Sequence, residues 1–165
     1  MARIKLEVPQ QFLATFHIPV RITDINYGNH VGNDSFVAII HEARMLWLHQ
    51  YGFTELNIDG IGLIMSDLAV EFKNESFYGD QLEVKLAAAE ISRLSFELYY
   101  QLSAKRNAET VLLANAKTGM ICYDYAKKKI VNASFNITEF PNENHFIPWT
   151  QQDSITKVIL KLIAE

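Results

Sequence analysis

The sequence predicts an α+β fold, in which one long apolar helix packs against a curled antiparallel sheet. Three observations predict it. Apolar side chains recur at helical spacing across residues 34–51. From residue 62 the pattern changes to period two and stays there for four consecutive segments. Short Gly-, Asn-, Asp- and Lys-bearing clusters separate those segments, as turns do. A chain of 165 residues with 49% hydrophobic content fills one core, so 1–165 is expected to be a single domain, with its core at about 12–125 and an extension at 130–165.

Residues 1–11 read as a short arm ending near Pro9, and residues 12–22, FLATFHIPVRI, as a first strand. Pro19 has no N–H to give, which places this strand at a sheet edge or a bulge. Thr23 to Asn33 holds two Gly, three Asn and an Asp, the chemistry of a tight loop. A helix is expected to begin there, capped by Asp34 or Ser35. Phe36, Ile40, Ala43 and Trp47 form its stripe, and Ile39, Leu46, Val37 and Leu48 widen it until little of the circumference is polar. Tyr51-Gly52 supplies the stop. Strands follow near 62–73, 80–91, 93–106 and 109–125, with turns at Tyr78-Gly79-Asp80, Lys105-Arg106-Asn107 and Ala126–Lys129. A second helix, residues 153–164, carries Ile155, Val158, Ile159, Leu162 and Ile163 on one face.

The bulk numbers exclude several classes. A net charge of −4 with scattered Lys and Arg argues against nucleic-acid binding. The N-terminal MARIKLEVPQ has no apolar signal core, and no stretch of about 18 uncharged apolar residues exists to span a membrane. Cys122 is the one cysteine, read as a small buried strand residue, so neither a disulfide framework nor a Cys-based zinc site is available within one chain. The expected setting is a reducing cytoplasm.

The chemistry-bearing residues concentrate in Val20 to Leu48, where Asp24, Asn26, His30 and Glu42 stand close to a helix start. The first turn of a helix presents free N–H groups at the positive end of its dipole. The backbone donors of Val31, Gly32, Asn33 and Asp34, up to Ser35, are therefore candidates to hold an oxyanion. Asp24 reads as a general base or an orienter of His30, against the commoner fate of an Asp in such a loop, an acid capping backbone N–H groups. Asn26 can position a water or a carbonyl but cannot take a proton; its alternative is an Asx-turn. His30 can serve as acid, base or donor, or hold the loop by a structural bond. Glu42 sits at the margin of the apolar stripe, as a helix carboxylate able to act as base or to pair with a cation. His17, His41, His49 and His145 read as ordinary, and no metal site is expected. Lys73, Arg93, Lys105 and Arg106 are the cations placed to meet phosphates, each also readable as a solvent-exposed charge.

Residues 24–33, DINYGNHVGN, with Glu42-Ala43-Arg44 in the following helix, resemble the pattern D-x-D-x-x-G-H-V-N-N plus E-A-R of hotdog-fold acyl-CoA thioesterases of the 4-hydroxybenzoyl-CoA thioesterase type. GLIMSDLAVEFKNESFYGDQLEVK and ISRLSFEL resemble that family's later strands, and the likeness spans residues 12–125. It implies a curled sheet around the central helix. It also implies hydrolysis of an acyl-CoA thioester by an activated water, no cofactor, and a homodimer or homotetramer with sites at the subunit interface. The family's second Asp is Asn26 here, so Asp24 or Glu42 becomes the expected base. Two alternatives follow from the same residues. One is an acyl-carrier-protein thioesterase, separated by activity on acyl-ACP alone; the other is a catalytically weak acyl-thioester binding protein, separated by binding without thiol release.

Overall fold

In the computed structural model, which describes residues 3–58, 60–92 and 94–132, the chain runs β1 (Ala14–Pro19), α1 (Asn33–Gln50), β2 (Gly62–Phe72), β3 (Gln81–Ala89), β4 (Ser95–Arg106), β5 (Glu109–Asp124) and β6 (Lys129–Ile130). All pairings are antiparallel, in the order β1-β3-β4-β5-β2, with the short β6 added to β5. The four expected strands after residue 62 are these, shortened by one to two residues at most ends. The helix expected at 153–164 lies outside the described residues.

Alternation sets which side of the sheet each residue takes. Leu82, Val84 and Leu86 of β3 face Ala104, Leu102 and Tyr100 of β4, and all six are buried. Phe96, Leu98, Tyr100 and Leu102 in turn face Met120, Thr118, Ala116 and Ala114 of β5. The helix lays Phe36, Ile39, Ile40, Ala43, Trp47 and Leu48 into this surface. Burying a side chain of this size contributes about 1.5–3 kcal/mol, so the helix is held by packing rather than by its end. Thr118 takes a core-facing position among apolar neighbours and is fully buried. Cys122 is buried in β5, and burial pushes its thiol pKa up.

Three boundaries differ from expectation, each for a local reason. The first strand stops at Pro19 because Ile22–Asp24 forms a 3₁₀ turn, closed by the Asp24 carboxylate on the Arg21 N–H at 2.7 Å. Neither Asp34 nor Ser35 caps α1. Gly32 is the N-cap, with no side-chain cap bond, and the Asp34 carboxylate leans over the space where a Gly32 Cβ would stand. The β4–β5 turn falls on Asn107 and Ala108, with φ of 49° and 69°. Two residues at positive φ match the twist of a hairpin, so the strand keeps Arg106.

Other expectations hold. Tyr51 caps the helix C-terminus and Gly52 follows at φ 76°. Pro19 lies on an edge strand, paired with Gln81. The arm crosses the sheet, from Leu13, bonded to Leu86, to Leu6, whose N–H donates to the Glu71 carboxylate at 3.1 Å on the opposite edge strand. Among the described residues no helix is long and apolar enough to cross a membrane.

Candidate active site

The loop between the 3₁₀ turn and α1 is closed by its own backbone. Ile25 bridges Val31, the Asn26 N–H donates to the His30 carbonyl, and the Gly32 N–H donates to the Asp24 carbonyl at 2.9 Å. Asn26 Oδ1 accepts from the Gly28 N–H at 2.7 Å, an Asx-turn, and Asn29 takes a left-handed φ of 62°. A Cβ at Gly28 would lie 2.9 Å from His30 Nε2 and 3.0 Å from Asn26 Oδ1, so a side chain there would displace one or both of them. The His30 imidazole and the Asn26 amide therefore flank the same backbone point. His30 Nδ1 lies 3.1 Å from the Val31 carbonyl. A carbonyl only accepts, so in the neutral ring Nδ1 carries the proton and Nε2 is the bare nitrogen.

Asp24 is buried and its carboxylate is fully engaged. It accepts from the Arg21 N–H and from the Arg21 guanidinium at 3.2 and 3.3 Å. Glu42 is exposed and lines neither of the grooves described below. Its charge is felt weakly at Arg21, with no hydrogen bond or ion pair between the two. Of the four expected oxyanion donors, two are already used: Val31 donates to the Ser76 carbonyl at 2.8 Å and Gly32 to Asp24. Asn33 and Asp34, with Ser35, form the first turn of α1, where the helical ladder supplies no partner.

Two grooves flank that first turn. One, about 300 Å³, is lined by His30, Val31, Asn33 and Phe36, with Phe72, Lys73, Asn74 and Glu75 opposite. The other, about 240 Å³, starts at Asp34 and runs along the helix between Val37, Ala38, Ile40, His41 and Arg44 on one side and Met65, Leu68 and Thr118 on the other. Asn33 and Asp34 are consecutive, so each groove reaches one residue of the turn that carries the free N–H groups.

The expected cations divide. Lys73 lines the first groove and pairs with Glu71. Lys105 is exposed at the end of β4. Arg93 lies outside the described residues. Arg106 is committed elsewhere: its guanidinium grips the Asp80 carboxylate, donates to the Glu75 carbonyl at 2.8 Å and stacks 4.9 Å from the Phe77 ring. It is thus a structural residue of the 74–80 loop, and through Ser76, which bonds Asp80 by its hydroxyl and Val31 by its carbonyl, it anchors the His30 loop.

Burial pushes the Asp80 pKa up, but Arg106, the Phe77 N–H and the Ser76 hydroxyl outweigh it, and the carboxyl lies below its ordinary value. A depressed folded pKa stabilises above the unfolded value of 3.8 and is lost as pH falls through the folded one. Stability should therefore fall in acid below about pH 4, and Asp80→Asn should shrink that fall while lowering stability at pH 7. Urea midpoints at both pH values check this, and equal acid sensitivity in the two proteins would count against it.

Sequence reading missed the polar floor of the second groove. Arg44 is buried inside the apolar stripe. Its Nε donates to Glu55, its Nη1 lies 3.3 Å from the Tyr100 hydroxyl, and that hydroxyl lies 3.2 Å from Thr118 Oγ1. Glu55 also accepts from His41 Nε2 at 3.0 Å. Burial works against the Arg44 charge, but Tyr100 and Glu55 outweigh it and the pKa is raised. The available signal was an Arg at a core phase of the helix, which requires buried partners.

Comparisons with known proteins identify the family and the fold. A 1,4-dihydroxy-2-naphthoyl-CoA hydrolase from Crocosphaera subtropica is 24% identical over 136 residues, covering 79% of this chain and 96% of that one. The crystal structure of a 1,4-dihydroxy-2-naphthoyl-CoA thioesterase from Synechocystis superposes with a TM-score of 0.64 at 25% identity, covering 72% of this chain and 88% of the other. A 4-hydroxybenzoyl-CoA thioesterase variant bound to 4-hydroxybenzoyl-CoA shares the fold, with a TM-score of 0.65 at 16% identity over 73% of this chain and 91% of that one. The family profile described as the thioesterase-like superfamily matches residues 20–152, and the chain belongs to that superfamily.

Proposed function

We propose that the protein hydrolyses acyl-CoA thioesters, with His30 as the general base and the first turn of α1 as the oxyanion site. One observation carries the reading: the bare Nε2-bearing ring of His30 and the first-turn residue Asn33 line the same groove. The relatives named above act on CoA thioesters, and this chain's residues supply the parts such a reaction needs. A water beside Asn26 and His30 gives its proton to Nε2 as its oxygen attacks the carbonyl carbon. The carbonyl oxygen takes the negative charge and is held by the N–H groups of Asn33 and Asp34. Collapse breaks the C–S bond, and the thiol leaves with the proton held on His30. Asp24 acts through the loop, by fixing the turn that carries Asn26. Lys73 is the described cation placed at the groove for a CoA phosphate. A thiol-release assay over a panel of acyl-CoAs tests the reading, together with the His30 variants discussed below. Binding without release would leave only a thioester-binding protein.

The functional unit is proposed to be a homodimer or homotetramer. β2 is an edge strand, and Met65, Leu68 and Phe72 on it are exposed apolar residues beside both grooves. Sedimentation equilibrium should return a multiple of the 18.9 kDa chain mass; a single-chain mass at assay concentration would sink this part.

A further inference from the structure

We infer that the Arg44 groove holds the acyl group and selects acyl chains that carry a neutral oxygen, a hydroxyl or keto group, at their far end. The inference rests on the thioester being held at the first turn of α1.

The groove leads away from that turn. Asp34 marks its start, and Val37, Ile40 and Leu68 give it apolar walls. Its other end is polar. Arg44 is only 4% exposed and Thr118 is fully buried, yet both line the groove. A guanidinium has five N–H donors in a fixed fork. Glu55 takes Nε–H and Tyr100 takes one from Nη1, and Nη2 makes no hydrogen bond among the described residues. A purely aliphatic acyl tail would lay methylene groups against that charged edge and leave its donors unpaired, which is unfavourable. An oxygen acceptor there satisfies them.

Charge decides which oxygen. Glu55 already balances Arg44, and Asp34 stands at the mouth. A second carboxylate would enter between two acids, so a neutral acceptor fits better. Length follows from the helix. Arg44 lies eleven residues after Asn33, about 16 Å along the axis, and its side chain leans back toward the N-terminus, which leaves on the order of 10 Å between carbonyl and guanidinium. That is a medium-length acyl group, which suits a groove of about 240 Å³.

Hexanoyl-CoA, 6-hydroxyhexanoyl-CoA and adipoyl-CoA differ only at the far end and make the test. The hydroxy substrate should exceed hexanoyl-CoA in kcat/KM by about 10-fold or more, and adipoyl-CoA should not exceed the hydroxy substrate. Thr118→Val and Arg44→Lys should each bring the hydroxy-to-methyl ratio toward one; Thr118→Val stands alone if the Arg44 variant fails to fold. A ratio near one in the wild type, a ratio kept in Thr118→Val, or a preference for adipoyl-CoA would overturn the inference. If no thioester is cleaved, the hydrolase reading fails by itself. The groove is then read from Tm shifts with 6-hydroxyhexanoate and hexanoate: a larger shift with the hydroxy acid supports it, and equal shifts overturn it.

Discussion

His30→Ala is expected to lower kcat for thiol release by about 10²–10⁴-fold while leaving KM nearly unchanged. The imidazole is held by one bond from Nδ1 to the Val31 carbonyl and rests over Gly28 beside the Asn26 amide. Removing it takes away the proton acceptor, leaves the second groove intact and widens the first only at its His30 end, away from Lys73. His30→Gln separates chemistry from placement. A glutamine can still donate to Val31 and fill the space, but it cannot hold the proton, so it should lose as much as alanine. If glutamine restores most of the turnover, His30 only positions the loop. Asp24→Ala makes a contrast: its carboxylate holds Arg21 and the 3₁₀ turn, so its loss should appear as a lower Tm together with lower activity. Near wild-type turnover in His30→Ala would remove the proposed base altogether.

Arg44→Met is expected to have the largest effect on stability, a loss of about 3 kcal/mol. The methionine fills the aliphatic part of the space, but Glu55 loses the partner of its Oε1 and Tyr100 loses the guanidinium beside its hydroxyl. The penalty is that of an uncompensated, mostly buried carboxylate, eased because the Glu55 side chain keeps 23% exposure and His41 as a partner. Adding Glu55→Gln to Arg44→Met should therefore recover part of the loss, and a double-mutant cycle from urea unfolding measures how much. A single-variant loss below about 1 kcal/mol, the size of an exposed pair, would show that the network does not hold the helix on the sheet.

The strands and the central helix were legible because they rest on local periodicity. Leu82, Val84 and Leu86 declare a strand with one buried face, and Phe36, Ile40, Ala43 and Trp47 declare a helix, without knowledge of what either meets. Errors gathered where backbone geometry overrides composition. Ala108 at positive φ is not a turn residue by type, and Gly32 caps α1 although Asp34 and Ser35 follow it.

The candidate site divides along the same line. That Asn26, His30 and a helix start stand together was determined by the chain itself, since they are within a few residues of one another. Which groups are free was decided only by the tertiary structure. Ser76 and Asp24 carbonyls consume the Val31 and Gly32 donors, Arg21 consumes Asp24, and Asp80 consumes Arg106. Glu42, the expected helix carboxylate, lines neither groove, while His41 and Arg44, one and two positions from it, line the second one. The Val31–Ser76 and Arg106–Asp80 bonds join segments 45 and 26 residues apart and leave no local pattern in the sequence, while the Arg21–Asp24 and Gly32–Asp24 bonds are local but depend on the backbone geometry of the turn. The sequence therefore names the residues able to do the chemistry, and the pairing made in the folded chain, local and long-range, decides which of them remain available for it.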